Sequence, residues 1–386
     1  MKPFFLLIIC CITKSVYSTL STKGDVIFIP KDYYKSQPPP SATTSVSLSF
    51  DVSEILDIDD YKQMITLKIK VGIRWTDSRL RFNVSSQGRI KVDTDEFRSL
   101  IWFPQLVVYN LDMFEPMFGA FYKDEMLMIL NNEELCHEAR IYTRISCPMN
   151  FDKFPFDSQE CYFQIGSKIP NTHISFNLEY LNGFKNGSTF SEYSMKLSPL
   201  PKLKKQMTEI NSSFQFHDVT GFILLLSRNP KSYVINYFFP SGLFVVVSWI
   251  SLVIPPDSIP ARIALIFTTF IVLVNISITI SATSPLSSKM NSIQVWILVC
   301  LVFVAATVIE YSIILIFQRV VKKEELDTKL KILKSNVCMM KSRNALVGAT
   351  ENALNIILTY ADFIGFIILL VAFLLFNAFY WSMSVS

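Results

Sequence analysis

Cys147-Pro148-Met149-Asn150-Phe151-Asp152-Lys153-Phe154-Pro155-Phe156-Asp157-Ser158-Gln159-Glu160-Cys161 runs through the middle of a chain of 386 residues. Its two cysteines enclose thirteen residues, among them Phe154-Pro155-Phe156-Asp157. If the two were bonded, a loop of this size would add about 3 kcal/mol of stability in the chain-entropy treatment. A plain hairpin staple would carry the same spacing. Of the seven cysteines, Cys10 and Cys11 fall in an apolar leader, Cys300 in an apolar span and Cys338 in a basic loop. Cys136, Cys147 and Cys161 remain, so one thiol is left to be buried or to pair with another chain.

Toward the N-terminus, Lys2, the apolar stretch Phe4 to Ile12 and the small-residue site Val16-Tyr17-Ser18 read as a signal peptide over residues 1–18. The apolar stretch falls far below the roughly 20 residues that a membrane helix needs. The following region is then expected in an oxidising compartment, where disulfides persist. Sequons at Asn83, Asn186 and Asn211 fit the same placement as glycosylation sites, although such triplets also arise by chance.

Residues 19–232 are expected to form an extracellular, ligand-binding β-sandwich. In Leu67, Ile69, Val71, Ile73 and Trp75, apolar residues alternate with Lys68, Lys70, Gly72 and Arg74, the pattern of a half-buried strand. Val219 to Leu226 and Ile141 to Ile145 read the same way, and Pro, Gly and Asn break the strands at short intervals. No catalytic constellation appears. His137, His173 and His217 are isolated, and phosphate loops, zinc spacings and nucleophile elbows are missing from the sequence. The reading is therefore not an enzyme, with no cofactor and no metal. A net charge of +4 without a basic, aromatic-interleaved tract argues against nucleic acid.

Residues 233–386 are strongly apolar and are expected to form an all-α domain of four transmembrane helices at 234–254, 262–282, 293–317 and 362–380. The intervening segment 318–354 carries Arg319, Lys322, Lys323, Lys329, Lys331, Lys334, Lys341 and Arg343. Short cytoplasmic loops are enriched in Lys and Arg, which puts this segment inside and the N-terminus outside the plasma membrane. It is too short for a domain and is expected to be partly helical.

The second span differs from the others. Ala264, Thr268, Ile271, Asn275, Ile278 and Ala282 recur at three- and four-residue steps and share one helix face. That face is small or polar apart from its isoleucines. Polar residues inside a membrane face a water-filled pathway or hydrogen-bond neighbouring helices, and periodicity alone leaves pore and glue equally open.

The Cys147–Cys161 segment resembles the signature loop of the Cys-loop pentameric neurotransmitter-gated channels. Further likenesses run along nearly the whole chain: Trp75-Thr76-Asp77-Ser78-Arg79-Leu80, Trp102-Phe103-Pro104 with Leu106 to Asn110, Arg228 to Tyr233, Pro240, Glu310-Tyr311, Asp362 and Phe376 to Trp381. The resemblance implies a Cys147–Cys161 disulfide and a homo- or hetero-pentamer in contact with membrane lipid. It also implies a pore lined by Arg262, Ala264, Thr268, Ile271 and Asn275, with Ile271 at the apolar gate. Phe154, Pro155, Phe156, Asp157, Arg228 and the turn at Pro285 to Lys289 would couple binding to opening. An agonist, an amine or amino-acid neurotransmitter, would bind between neighbouring ectodomains, as at a postsynaptic membrane.

Pro260-Ala261-Arg262 opens the second span where cation-selective relatives carry a Glu before the basic residue, so it resembles the anion-selective, chloride-conducting branch. The expected helix N-termini and Arg262 both bring positive charge to the cytoplasmic mouth; alternatively, Arg262 anchors the helix end. For the ligand, Tyr109 matches an agonist-site aromatic, and Phe214 and Phe216 lie where a capping hairpin would hold a cationic amine. Lys168 stands where nicotinic subunits carry Trp, and Lys70 and Gly72 depart on the opposite face. Those departures favour, as an alternative, a non-binding accessory subunit; a cation-conducting member or an adhesion protein with helical anchors ranks below it.

Overall fold

The computed structural model describes residues 18–22, 25–40, 43–83, 89–92, 94–117, 124–130, 134–167, 174–184, 188–201, 203–210, 213–254, 258–287, 289–334 and 340–385. They form two compact units. One comprises Met1–Met149 with Ser158–Leu226, and the other comprises Asn150–Asp157 with Ser227–Ser386.

The first unit is built of strands: β1 (Ser18–Thr22), β2 (Asp25–Ile29), β3 (Thr44–Asp59), β4 (Met64–Thr76), β5 (Arg81–Asn83), β6 (Arg89–Val92), β7 (Leu106–Val108) and β8 (Leu111–Pro116). β9 (Glu125–Leu130), β10 (Glu134–Ser146), β11 (Ser158–Ser167), β12 (Ile174–Asn182), β13 (Ser188–Phe190), β14 (Tyr193–Pro199), β15 (Leu203–Ile210) and β16 (Ser213–Arg228) follow, with the short helix α1 (Thr94–Leu100) between β6 and β7. One sheet runs β12-β3-β4-β10-β9-β6, with β8 added on β10; the other runs β13-β14-β16-β11-β7, with β15 on β16. Only the β12–β3 pairing among those described is parallel. A small third sheet joins β1, β2 and β5.

The period-two reading of β4 translates directly into its packing. Leu67, Ile69, Val71 and Trp75 are buried, while Lys68, Lys70 and Arg74 point to the other face. Burial of each such side chain stabilises the fold by about 1.5–3 kcal/mol. The two large sheets meet at three rings: Phe163 stacks on Phe222 at 4.9 Å, and Phe50 stands edge-on to both at 5.6 Å. Gly221 sits here at φ +147°, and a Cβ there would lie 1.9 Å from the Phe163 carbonyl oxygen. Only glycine suits that backbone.

The second unit is helical: α2 (Lys231–Tyr233), a π-turn (Val234–Phe238), α3 (Phe239–Val253), α4 (Ile259–Thr283), α5 (Ser292–Lys334) and α6 (Met340–Val385). Among the described residues, four stretches are long and apolar enough to cross a membrane: Lys231–Val253, Ile259–Thr283, Ser292–Val320 and Tyr360–Ser384. Pro240, which lacks an amide hydrogen, stands in the first turn of α3, two residues past the end of the π-turn. In α4, Pro260 occupies the first turn, where its missing N–H costs nothing. α5 and α6 continue well past their apolar stretches, so the basic segment between them is helical from Gln318 to Lys334 and again from Met340. Lys, Glu, Leu and Ala are strong helix formers, and their propensity does not end where hydropathy does.

Candidate functional site: a loop-and-helix junction and the exposed face of the second span

Cys147 and Cys161 are bonded to each other, and the Cys136 thiol is free and buried. Burial in the sheet pushes the Cys136 thiol up from its ordinary range. β10 ends at Ser146 and β11 begins at Ser158, so the disulfide closes the strand ends over the loop.

The loop tip packs entirely within the helical unit. Arg228 Nε donates to Asp157 Oδ1 at 2.9 Å, and both side chains are almost fully buried. The same guanidinium lies 4.8 Å from the centre of the Phe154 ring, and the Arg228 amide donates to the Asp157 carbonyl at 3.1 Å. Phe154 meets Tyr233 edge-on at 4.9 Å, while Phe156 meets Phe238 and Trp381, each at 5.8 Å. The Ile293 amide donates to the Phe154 carbonyl at 3.3 Å, and Ser287 Oγ donates to Asp152 Oδ1 at 2.9 Å. Tyr380 completes the ring by donating to the Ser292 carbonyl at 2.9 Å. A shift of the tip would therefore be felt at α2, at the α4–α5 turn and at the end of α6.

Of the residues that the sequence assigns to coupling, Phe154, Phe156, Asp157 and Arg228 come together, and Pro155 and Pro285 are buried. The Phe154–Pro155 peptide is cis. Ser287, in the Pro285 to Lys289 turn assigned to coupling, joins the same junction, together with Asp152 and Trp381, which the sequence did not assign to it.

On α4 the two faces separate cleanly. Arg262, Ile266, Thr269, Leu273 and Ile280 are buried, whereas Ala264, Thr268, Ile271, Asn275, Ile278 and Ala282 are all exposed, Ile271 at 56% and Ile278 at 62%. Thr268 Oγ1 donates to the Leu265 carbonyl at 2.9 Å and Thr279 Oγ1 to that of Asn275 at 2.9 Å, so these hydroxyls are satisfied by their own helix.

Arg262 is not on the exposed face. Its guanidinium is fully buried, donating to Asp362 Oδ1 at 3.2 Å and Oδ2 at 2.8 Å, to the Ile254 carbonyl and, at 3.5 Å, to the Leu252 carbonyl. It lies 5.5 Å from the centre of the Tyr311 ring. The reading that put Arg262 in the pore and its charge at the mouth is corrected on this point. The side chain turns inward because a carboxylate and two carbonyls are there to meet it, and a buried charge demands such partners. Pro260 and Ala261 are exposed at the start of α4.

The ligand candidates are less complete. Tyr109 is half-buried and its amide donates to the Gln164 carbonyl at 2.9 Å. Its ring lies against Gly166, where a Cβ would come within 2.8 Å of it. Burial raises the Tyr109 phenol above its ordinary range. Phe214 and Phe216 lie on β16 in the β15–β16 hairpin, with Phe216 opposite Gln206. Their side chains, together with Lys168, Asn186 and Asn211, fall outside the described residues; Asn83 ends β5. Lys70 is held by Glu138 at 2.8 Å, which neutralises the cation noted there.

The chain is thus a sheet-rich unit with two large sheets and the Cys147–Cys161 disulfide, followed by a helical unit with four stretches of membrane-spanning length among the described residues. The neurotransmitter-gated ion-channel ligand binding domain matches residues 26–224 and the neurotransmitter-gated ion-channel transmembrane region matches residues 237–354. The chain belongs to the neurotransmitter-gated ion channels, a family of ligand-gated channels and not of enzymes. It is 26% identical over 69% of its length to pH-sensitive chloride channel 2 of Drosophila melanogaster and 28% identical over 70% to the glutamate-gated chloride channel of the same species. Against glycine receptor subunit beta of Rattus norvegicus it is 27% identical over 77%. The chain spans 52%, 58% and 58% of the length of these relatives, in that order.

Proposed function

We propose that the chain is one subunit of a pentameric chloride channel of the plasma membrane, opened by a small extracellular amine or amino acid, with α4 lining the pore. The exposed face of α4 carries this reading. Threonine hydroxyls can be satisfied by their own helix, but the Asn275 carboxamide makes no hydrogen bond to a described residue and is exposed. In hydrocarbon each such unsatisfied group costs several kcal/mol, whereas in a water-filled pore it costs little. Ile271 and Ile278 would form the apolar constrictions on the same face, able to close a pore by dewetting.

Chloride is supported by Pro260-Ala261 at the start of α4, where no carboxylate stands on the described helix, and by the names of two relatives. The buried Arg262 supports it only indirectly, by fixing the helix end whose N–H groups carry partial positive charge. The agonist would lie between ectodomains against Tyr109, Lys168, Phe214 and Phe216. Signal cleavage, glycosylation at the three sequons and an extracellular N-terminus belong to the same proposal.

Expression of Ile271→Thr in oocytes tests it without knowing the ligand. A polar ring at the constriction should hydrate the gate and give a standing current whose reversal potential follows external chloride. A standing current indifferent to chloride would rule out the anion reading. The accessory-subunit reading is favoured by Lys168 in place of an aromatic; it predicts surface protein without current until a partner subunit is co-expressed.

A further inference from the structure

His137, on β10, is 6% exposed, and among the described residues its Nε2 makes no hydrogen bond. The imidazole stands edge-on to Phe103 at 5.7 Å, and Phe103 in turn packs on Trp75 at 5.0 Å. On the adjacent strand β9, Glu125 points a carboxylate oxygen at Nε2 from 3.5 Å. Glu125 also lines a cavity of about 150 Å³ together with Lys70, Asp124, Met126, Glu138, Ala139 and Arg140. The other charges around that cavity are already matched: Lys70 to Glu138 at 2.8 Å, and Arg140 to Asp124 at 2.7 Å. Glu125 is thus at once open to water on one side and in reach of a buried base on the other.

The geometry points to a proton-binding site, with the cavity beside Glu125 as the way in and His137 as the group that holds the proton against the carboxylate. Among the described residues, the charged groups that face His137 are Glu125 from β9, Arg98 from α1 and Glu138 from β10 itself, and β4 opposes it with Ile73. A neutral imidazole can face the carboxylate with Nε2 bare or as Nε2–H, whereas the protonated ring carries a donor and a full positive charge on that side whichever tautomer preceded it. Protonation therefore strengthens the attraction between β10 and β9 at that point. Burial holds the His137 imidazolium below its ordinary range, so the site loads only on acidification. β10 continues from His137 to Ser146 and straight into Cys147, the first half of the disulfide. Acid would therefore bias the strand that leads into the loop. Resting as it does on the channel reading above for its readout of current, the inference makes external protons a modulator of opening.

The sign follows from linkage. A histidine whose folded pKa is depressed contributes stability that is present above its unfolded value and lost as pH falls. Two measurements on the full chain decide the matter. In the first, the detergent-solubilised protein is melted between about pH 7.5 and about pH 5.5, a window that brackets the ordinary histidine value. The parent should lose melting temperature on acidification more steeply than His137→Gln, whereas Glu125→Gln, which removes the carboxylate that favours the imidazolium, should lose it at least as steeply as the parent. In the second, the standing current of Ile271→Thr is followed over the same steps, and a change of about fivefold in either direction is expected, within the usual range for coupled sites. That change should vanish on adding His137→Gln. Parallel melting of parent and His137→Gln overturns the proton site. An acid response of the current that survives both His137→Gln and Glu125→Gln overturns its role in opening. If no variant conducts at any pH while the melting curves still diverge, the site stands and the homomeric-channel reading fails.

Discussion

Asp157, inside the disulfide-closed loop, and Arg228, at the end of β16, form a buried ion pair at 2.9 Å across 71 positions of sequence. The guanidinium also lies over the Phe154 ring at 4.8 Å, so charge and ring from one loop hold one arginine. Neither charge has water to fall back on.

Removing one partner should therefore cost far more than the pair contributes. Asp157→Asn keeps the shape but leaves the guanidinium uncompensated, an effect of about 3–5 kcal/mol for buried pairs. Surface protein should fall sharply, and the melting temperature with it. The double change Asp157→Leu with Arg228→Met removes both charges and should recover most of the melting temperature. A stable Asp157→Asn protein would show that the pair is solvated.

Gly221→Ala should fail to mature. The position combines φ +147° with a carbonyl oxygen 1.9 Å from the added methyl group. Holding a non-glycine residue in such backbone costs about 1–3 kcal/mol before the clash is counted. The obstacle is main chain, so no side-chain rotation relieves it. A trafficking assay by surface labelling reads the outcome, and normal surface levels would mean that the strand shifts freely.

Trp296 Nε1 donates to Ser241 Oγ at 2.8 Å inside the helical unit, and Ser241 in turn donates to the Tyr237 carbonyl at 2.6 Å. Ser241→Ala strands the indole N–H. Interhelical hydrogen bonds in membranes average only about 0.6 kcal/mol, with a maximum near 1.7, because the unfolded reference also finds partners. A loss of about 1 kcal/mol is expected, visible as a small drop in melting temperature with no loss of surface protein.

How much of this was legible depends on the range of the interaction. The alternation in Leu67 to Trp75 specifies a half-buried strand because each residue reports its own face. The loop tip was legible as a motif, and its contacts to Tyr233, Phe238 and Trp381 were not, since nothing local in an aromatic names its partner. Arg262 shows the same limit from the other side. Its spacing from Ile266, Thr269 and Leu273 (four, seven and eleven residues) already puts it opposite the exposed stripe. Grouping it with the pore residues followed from the family resemblance, and what makes burial tolerable is a carboxylate 100 positions away. The helical continuation of α5 past its span was hidden for a simpler reason: hydropathy reports where lipid ends, not where the helix does.

Charge in the pore and charge behind it have different consequences for selectivity. If the Arg262 guanidinium were the anion filter, removing it should abolish chloride preference. In the structure it is fully buried against Asp362, while Ile259, Pro260 and Ala261 are exposed at the start of α4. Arg262→Gln alone should cost about 3–5 kcal/mol by stranding Asp362, and little protein should reach the surface. Arg262→Leu with Asp362→Leu removes both charges together and should restore assembly. In the Ile271→Thr background, that double variant is expected to keep a reversal potential that follows chloride. Ala261→Glu, which places a carboxylate on the exposed side of the same turn, should shift the reversal toward cations while leaving the buried pair intact. Loss of chloride preference in the double variant, with Ala261→Glu silent, would return the filter to the arginine; the opposite pattern assigns it to the exposed first turn and the helix end that Arg262 holds in place.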